Sequence, residues 1–328
     1  MGRNILVTGA GGFIGSAVTR RLVRWAEAGA ILWDGERVDA VCALLRPGAS
    51  DWRLKSMGQS PVLAVERADI ADSAALEDVL DRVKPKAVLH LASDPSGFEP
   101  QSDDEWRARH LAPMETMFDA LSRSDGARFV HTSSAWVLAP GEHLAEDAPA
   151  AASLDYAKAK AKLDENLPAL HRTCGVPFVN LRLFNVFGRY EARHRLLPHL
   201  VDQWRRGLPA RLTHGQQLRD FNDVDDIAEA YRLALTCPPS ACNAVYHIGS
   251  GRGTTVRQFA EWVRAVMDVP GMIEWDSAET RDRHIPALVS DPRLAVRVLG
   301  WRPTEDLESR IRAAVDWWLA QPLEGAAK

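Results

Sequence analysis

Tyr156 and Lys160 are the side chains from which a chemistry can first be read. They lie in SLDYAKAKAKLDE (153–165), a run of mostly good helix formers that Ser153 is placed to cap. Four residues apart on a helix, they share one face and sit about 6 Å apart along its axis. An ammonium beside a phenol favours the phenolate and brings its pKa down from about 10 towards neutral. A phenol tuned in this way can give or take a proton while another group moves a hydride. Taken alone, the pair reads first as an ordinary tyrosine packed on a lysine stem, so the rest of the chain has to decide.

Two other stretches do so. LVTGAGGFIGSAV (6–18) places Gly9, Gly12 and Gly15 directly after an apolar strand and at the opening of a helix. Glycines there allow a tight turn and close backbone approach, and the helix start offers free N–H groups to a pyrophosphate. FVHTSSAWVLA (129–139) puts Ser133 and Ser134 at the carboxyl end of another apolar strand, where α/β sheets bind ligands. A dinucleotide loop, a strand-end serine and a Tyr–Lys pair in this order are more than packing requires.

The second strand should end on the residue that reads the adenosine ribose, an acid for NAD or an arginine for NADP. VDAVCALLRPG (38–48) ends in Leu45 and Arg46, with its only acid, Asp39, at the start. The expected cofactor is therefore NADP, with NAD the alternative. AILWDGER (30–37) reads as an insertion that lengthens the interval from Gly15 to Arg46.

The elements that must position these residues alternate. Apolar runs at 4–10, 38–45, 61–70, 86–93, 127–134, 178–186 and 244–251 read as buried strands. Helical segments fall at about 14–28, 73–82, 103–123, 153–172, 197–206, 255–268 and 305–320. Repeated β-α-β implies an α/β fold, a Rossmann doubly wound parallel sheet, with a smaller C-terminal substrate-binding lobe. The expected division is 1–186 for the dinucleotide-binding domain, with a return at about 221–251. Residues 187–220 and 252–328 form the lobe.

Bulk composition excludes several classes. The chain has 328 residues, is 46% hydrophobic and 26% charged, and carries a net charge of −4, which gives no case for nucleic acid or a membrane surface. No apolar run approaches the roughly 18 residues of a membrane span. Cys42, Cys174, Cys237 and Cys242 form no metal-ligand pattern, so no metal is expected, and they suit a reducing compartment. The expected location is the cytoplasm.

TGAGGFIG, HLAS, SSAWV, YAKAK, LRLFNVFG, RDFNDVDDIAEA and YHIGSG together resemble the extended short-chain dehydrogenase/reductases, and more narrowly the NAD(P)-dependent epimerase/dehydratase group acting on nucleotide sugars. The resemblance runs from about residue 3 to residue 318. It implies a catalytic triad of Ser134, Tyr156 and Lys160, with Tyr156 and Lys160 also touching the cofactor. It further implies cofactor contacts from Gly9, Gly12, Phe13, Ile14, Gly15 and Arg46, adenine contacts from Asp69 and Ile70, and a wall of Leu91 and Ala92 along the cofactor. Asn185, Arg219 and Arg281 are the implied ligands of a nucleotide diphosphate, with Ser134 on the sugar. His194, His199 and His214 could line the sugar pocket, although lone histidines on such segments are more often structural, while His90 and His131 read as satisfied core residues. Family dehydratases carry Asp-Glu after the serine, where this chain has Ala135 and Trp136. The expected reaction is therefore reduction of the 4-keto group of an NDP-4-keto-6-deoxyhexose. A 4-epimerase with tightly bound NAD is the alternative, and a non-catalytic dinucleotide sensor the second. A homodimer is implied by resemblance alone.

Overall fold

The computed structural model describes residues 3–93, 102–276 and 285–323. Seven parallel strands form the main sheet: β1 (Asn4–Thr8), β2 (Ala40–Leu45), β3 (Leu63–Arg67), β4 (Pro85–His90), β5 (Arg128–Ser134), β6 (Phe178–Leu183) and β7 (Ala244–Ile248). Their spatial order is β7-β6-β5-β4-β1-β2-β3, a doubly wound Rossmann sheet with its switch point between β1 and β4. Eight helices pack on this sheet or build the lobe beside it: α1 (Phe13–Glu27), α2 (Ser73–Val83), α3 (Ala112–Ser122), α4 (Asp155–Cys174), α5 (Leu196–Arg205), α6 (Val224–Ala234), α7 (Val256–Met267) and α8 (Leu307–Leu319).

Alternation along each strand fills both faces of the sheet. Ile5 and Val7 point into one layer with Val18 and Leu22 of α1 and Ile227 and Tyr231 of α6. Leu6 points into the other, with Leu80 of α2, Phe118 of α3 and Leu167 of α4. Each such side chain contributes roughly 1.5–3 kcal/mol when fully buried. A third apolar cluster joins α5, α7 and α8 around Leu200, Phe259 and Trp318.

Four features depart from the sequence reading. The run 178–186 is not one strand. It breaks at Phe184, whose N–H bonds the Ile248 carbonyl at 3.1 Å, and Asn185–Phe187 then pairs in parallel with Phe221–Asp223. Helix α6 lies inside the expected return to the sheet, where the sequence marks no helix; Asp223 caps it, accepting from Asp225 N at 2.8 Å. A second sheet, also unexpected, orders Thr254–Thr255, Leu218–Arg219, Ala287–Ser290 and Gly141–Leu144. Helix α4 starts at Asp155, and its N-cap is Leu154 without a side-chain cap, so Ser153 does not perform that role.

The insertion at 30–37 is a small hairpin with an antiparallel bridge between Ile31 and Arg37. Its Trp33 lies under the Arg128 guanidinium at 4.1 Å, at the amino end of β5 and away from the strand ends that carry the site.

Candidate active site

The glycine loop is built by contacts that admit no side chain. Gly12 N–H bonds the Gly9 carbonyl at 2.9 Å, and Gly9 sits at φ +69°. A Cβ on Gly9 would lie 2.7 Å from Ala92 N, and one on Gly15 only 2.1 Å from the Gly9 carbonyl oxygen. Gly12 is the N-cap of α1 and offers no side chain to the helix's first N–H groups. Those donors and the helix dipole face a cleft of about 810 Å³. A cradle that a Cβ would fill, at the start of a helix, fits a dinucleotide.

Gly9, Gly12, Arg46, Asp69, Ile70, Leu91, Ala92, Tyr156 and Lys160 all line this cleft. Phe13 and Ile14, the first two residues of α1, are partly buried and pack against the core beside it. Gly15 is likewise buried behind the loop and acts by letting Gly9 approach. Leu45 is buried at the end of β2 and Arg46 is exposed beside it. Asp39, at the other end of β2, accepts from Arg3 N at 2.9 Å.

Sequence reasoning missed several lining residues. Arg53 donates from Nη1 to the Gly11 carbonyl at 3.2 Å and from Nε to the Tyr190 carbonyl at 2.9 Å, joining the glycine loop to the chain beyond β6. Burial lowers its guanidinium pKa. Trp52 beside it packs on Tyr190 with ring centroids 5.4 Å apart. Arg109 and His110 enter the cleft from a π-helical turn, Arg107–Leu111. No spacing rule marks such a turn, although π-turns concentrate at functional sites.

Tyr156 lines the cleft, and the Ser134 hydroxyl stands beside it, close enough to act on the phenol. Lys160 is buried, and its Nζ donates to the Thr132 carbonyl at 2.9 Å. Burial drives the lysine down to about 8, with Asp164 opposing the shift. The tyrosine differs from expectation. Its phenol is pushed above the ordinary value by burial, with the Ser134 hydroxyl opposing, although Lys160 lies one helical turn away. The lysine's ammonium is directed at a strand carbonyl.

His90 is the satisfied core residue it was read as, with Nδ1 2.9 Å from Thr8 Oγ1, and burial holds it near 3. His131 is not: it is buried and neither ring nitrogen has a hydrogen-bond partner. Its Nε2 stands 3.7 Å from Asp164 Oδ1, and burial keeps the ring neutral.

Two of the expected diphosphate ligands come near each other, since Asn185 pairs with Phe221, two residues beyond Arg219. Asn185 is half-buried at the start of its short strand. Arg219 is buried, with Nη1 on the Leu218 carbonyl at 2.7 Å and its guanidinium 5.5 Å from the Trp136 ring centre. Neither belongs to the dinucleotide cleft, and neither does Ser134. Arg281 lies outside the described residues. Among the described residues no group of histidines, cysteines and carboxylates could hold a metal.

Known proteins share this architecture. A model of the NAD dependent epimerase/dehydratase family matches residues 5–249. dTDP-glucose 4,6-dehydratase of Neisseria meningitidis is 28% identical over 97% of this chain and 93% of its own length. The enzyme of the same name from Salmonella typhimurium is 26% identical over 96% and 92%. Among solved structures, UDP-glucose 4-epimerase of Thermotoga maritima superposes with a TM-score of 0.80 at 23% identity, covering 96% and 98% of the two chains. dTDP-glucose 4,6-dehydratase of Bacillus anthracis in complex with NAD reaches 0.82 at 20% identity, covering 97% and 96%. The chain belongs to the NAD-dependent epimerase/dehydratase family.

Proposed function

We propose that this protein is an NAD(P)-dependent oxidoreductase of a nucleotide sugar that reduces the 4-keto group of an NDP-4-keto-6-deoxyhexose. The observation that carries the reading is a single cleft in which Tyr156 and Lys160 line the same space as the glycine loop, with the Ser134 hydroxyl beside the phenol. The relatives named as 4,6-dehydratases and the neighbours named as 4-epimerases support sugar-nucleotide chemistry at C4. Dehydration is disfavoured by the residues after Ser134. Ala135 is buried and apolar, and Trp136 packs beside Arg219, where family dehydratases carry Asp-Glu.

The nicotinamide, when bound, supplies the hydride. The chain's own residues handle the proton and the geometry. Tyr156 gives its phenolic proton to the C4 oxygen, and the burial that raises its pKa keeps it protonated at neutral pH, the state a donor needs. Ser134 holds the same oxygen through its hydroxyl. Lys160 binds the nicotinamide ribose from its buried position. Arg46 takes the 2′-phosphate that distinguishes NADP. Asn185, Arg219 and Arg281 bind the substrate diphosphate, and a homodimer in the cytoplasm completes the reading. No described helix is long and apolar enough to cross a membrane.

A second reading, a 4-epimerase retaining NAD, draws on the solved UDP-glucuronic acid 4-epimerase of Bacillus cereus with NAD, TM-score 0.82. Mass spectrometry of ligands released from freshly purified protein separates the two. Exchangeable NADP, or an empty site that NADPH fills, supports the reductase; stoichiometric retained NAD supports the epimerase and refutes the first reading.

A further inference from the structure

We propose that Asp164 is a positioning residue of the catalytic pair, clamping α4 to the end of β5 and holding Lys160 in its ammonium form. The clamp is regular. Tyr156, Lys160 and Asp164 succeed each other at four-residue intervals on α4, so they lie along one helix face. Three consecutive residues of β5 each meet one of them. The Ser134 hydroxyl stands beside the Tyr156 phenol and acts on it. The Thr132 carbonyl accepts from Lys160 Nζ at 2.9 Å. Ser133 donates from its hydroxyl to Asp164 Oδ2 at 2.7 Å. Serine at both 133 and 134 is thereby explained: one faces the reaction and its neighbour anchors the helix.

The anchor continues across the sheet. Arg182 of β6 donates from Nη2 to the same Asp164 oxygen at 3.1 Å, and both side chains are 10% exposed. Arg182 Nη1 lies 3.0 Å from His247 Nε2, and His247 Nδ1 donates to the Leu144 carbonyl at 2.9 Å. Burial holds His247 near 4, so it is a neutral ring that accepts from arginine and donates to the carbonyl. The chain of contacts therefore runs from the catalytic helix through β6 and β7 to the strand Gly141–Leu144.

Asp164 also has an electrostatic task. The titratable groups on the elements packed around the lysine are its helix neighbours Tyr156 and Asp164, His131 of β5 and His90 of β4, with Arg109 and His110 of the π-turn lining the same cleft and Tyr231 of α6 reaching Thr132 Oγ1 at 2.7 Å. His90 and His131 are kept neutral by burial. The Asp164 carboxylate is what opposes the lysine's desolvation. Its Oδ1 has no hydrogen-bond partner, so this buried charge is not fully consumed by Ser133 and Arg182.

The idea rests on reading Tyr156 and Lys160 as the proton-handling pair, but its test needs no turnover. Lysine labelled with ¹³C at Cε is followed by NMR against pH; the chain has seven lysines, and Lys160→Met assigns the signal. The wild type should titrate near 8. Asp164→Asn leaves Arg182 buried without a counter-charge and is at risk of unfolding, so Asp164→Asn/Arg182→Met is made beside it. In folded Asp164→Asn relative to wild type, and in the double variant relative to Arg182→Met alone, Lys160 should titrate at least about one pH unit lower, because a nearby opposite charge shifts a pKa by about 1–3. NADPH affinity, read by fluorescence, should weaken from a correspondingly lower pH. Asp164→Glu should restore both. A folded double variant whose Lys160 titrates as in Arg182→Met alone would overturn the proposal. Failure to turn over any nucleotide sugar would instead overturn the proposed function and leave this titration standing.

Discussion

Asp220 gives the sharpest stability prediction. It is fully buried just after Arg219, and each carboxylate oxygen is saturated. Oδ1 accepts from Ser250 N at 2.7 Å, Ser250 Oγ at 2.6 Å and Asn222 Nδ2 at 3.1 Å. Oδ2 accepts from Gly251 N at 3.0 Å, Ser290 N at 3.1 Å and Ser290 Oγ at 2.6 Å. The carboxylate thus ties the turn after β7 to the strand Ala287–Ser290 of the second sheet. Asp220→Asn keeps the shape but replaces one oxygen by a donor. With Nδ2 in the Oδ2 position it faces two fixed backbone N–H groups, and in the Oδ1 position one such group and the Asn222 side-chain amide, which can shift, so the second orientation costs less. Ser250 N–H then loses its acceptor, at about 1–3 kcal/mol, and the remaining bonds lose their charge assistance, at about 1 kcal/mol or more. The total, about 2–5 kcal/mol, is a large part of a typical folding stability of about 5–15 kcal/mol. Urea unfolding followed by tryptophan fluorescence should show the midpoint falling with the slope unchanged. A loss under about 1 kcal/mol would show that this carboxylate does not knot the two regions.

Three further outcomes are expected. Gly15→Ala places a Cβ 2.1 Å from the Gly9 carbonyl oxygen and should cost about 1–3 kcal/mol or more with loss of dinucleotide binding, whereas Gly11→Ala meets only a Leu45 methyl at 3.3 Å and should melt near wild type; equal melting temperatures would refute the close-approach argument. Arg46→Ala should weaken NADPH about tenfold to a hundredfold and NADH little, since charge-assisted bonds contribute roughly 1.5–3 kcal/mol; titration showing equal losses would remove Arg46 from the cofactor's phosphate. Arg219→Ala should raise KM for the nucleotide sugar more than it lowers kcat, because it acts on a part remote from the chemistry; an unchanged KM would take it out of the substrate site.

Legibility in the sequence depends on how local each determinant is. The strand–glycine–helix passage at 6–18 and the Tyr156–Lys160 spacing are set by neighbouring residues, so periodicity and turn chemistry reveal them. The helices at 73–83 and 256–267 likewise match expectation within a residue or two, since an apolar stripe and its cap lie in one window. The break at Phe184 is hidden because FVNLRLFNV is apolar nearly throughout, and only the Ile248 carbonyl marks where the chain leaves the main sheet. Helix α6 is masked by its acidic opening, DVDDI, which reads as a loop until Asp223 is seen to cap it. Strands of two residues, such as Leu218–Arg219, carry no periodicity at all. In the site, residue types are visible but their couplings are not. The lysine's bond to Thr132, the raised phenol and the unpartnered ring nitrogens of His131 all depend on burial by elements far apart in sequence.

The proton donor is tested most directly by Tyr156→Phe, assayed with NADPH and an NDP-4-keto-6-deoxyhexose by loss of absorbance from the reduced nicotinamide. Phenylalanine keeps the ring and its packing, so melting temperature and NADPH affinity should stay close to wild type. The variant removes the proton that Tyr156 gives to the C4 oxygen, and general acid catalysis typically contributes about 10²–10⁴-fold. The predicted result is a fall in kcat of that size. Turnover by the folded variant at near wild-type rate would contradict it and leave Tyr156 as a packing residue.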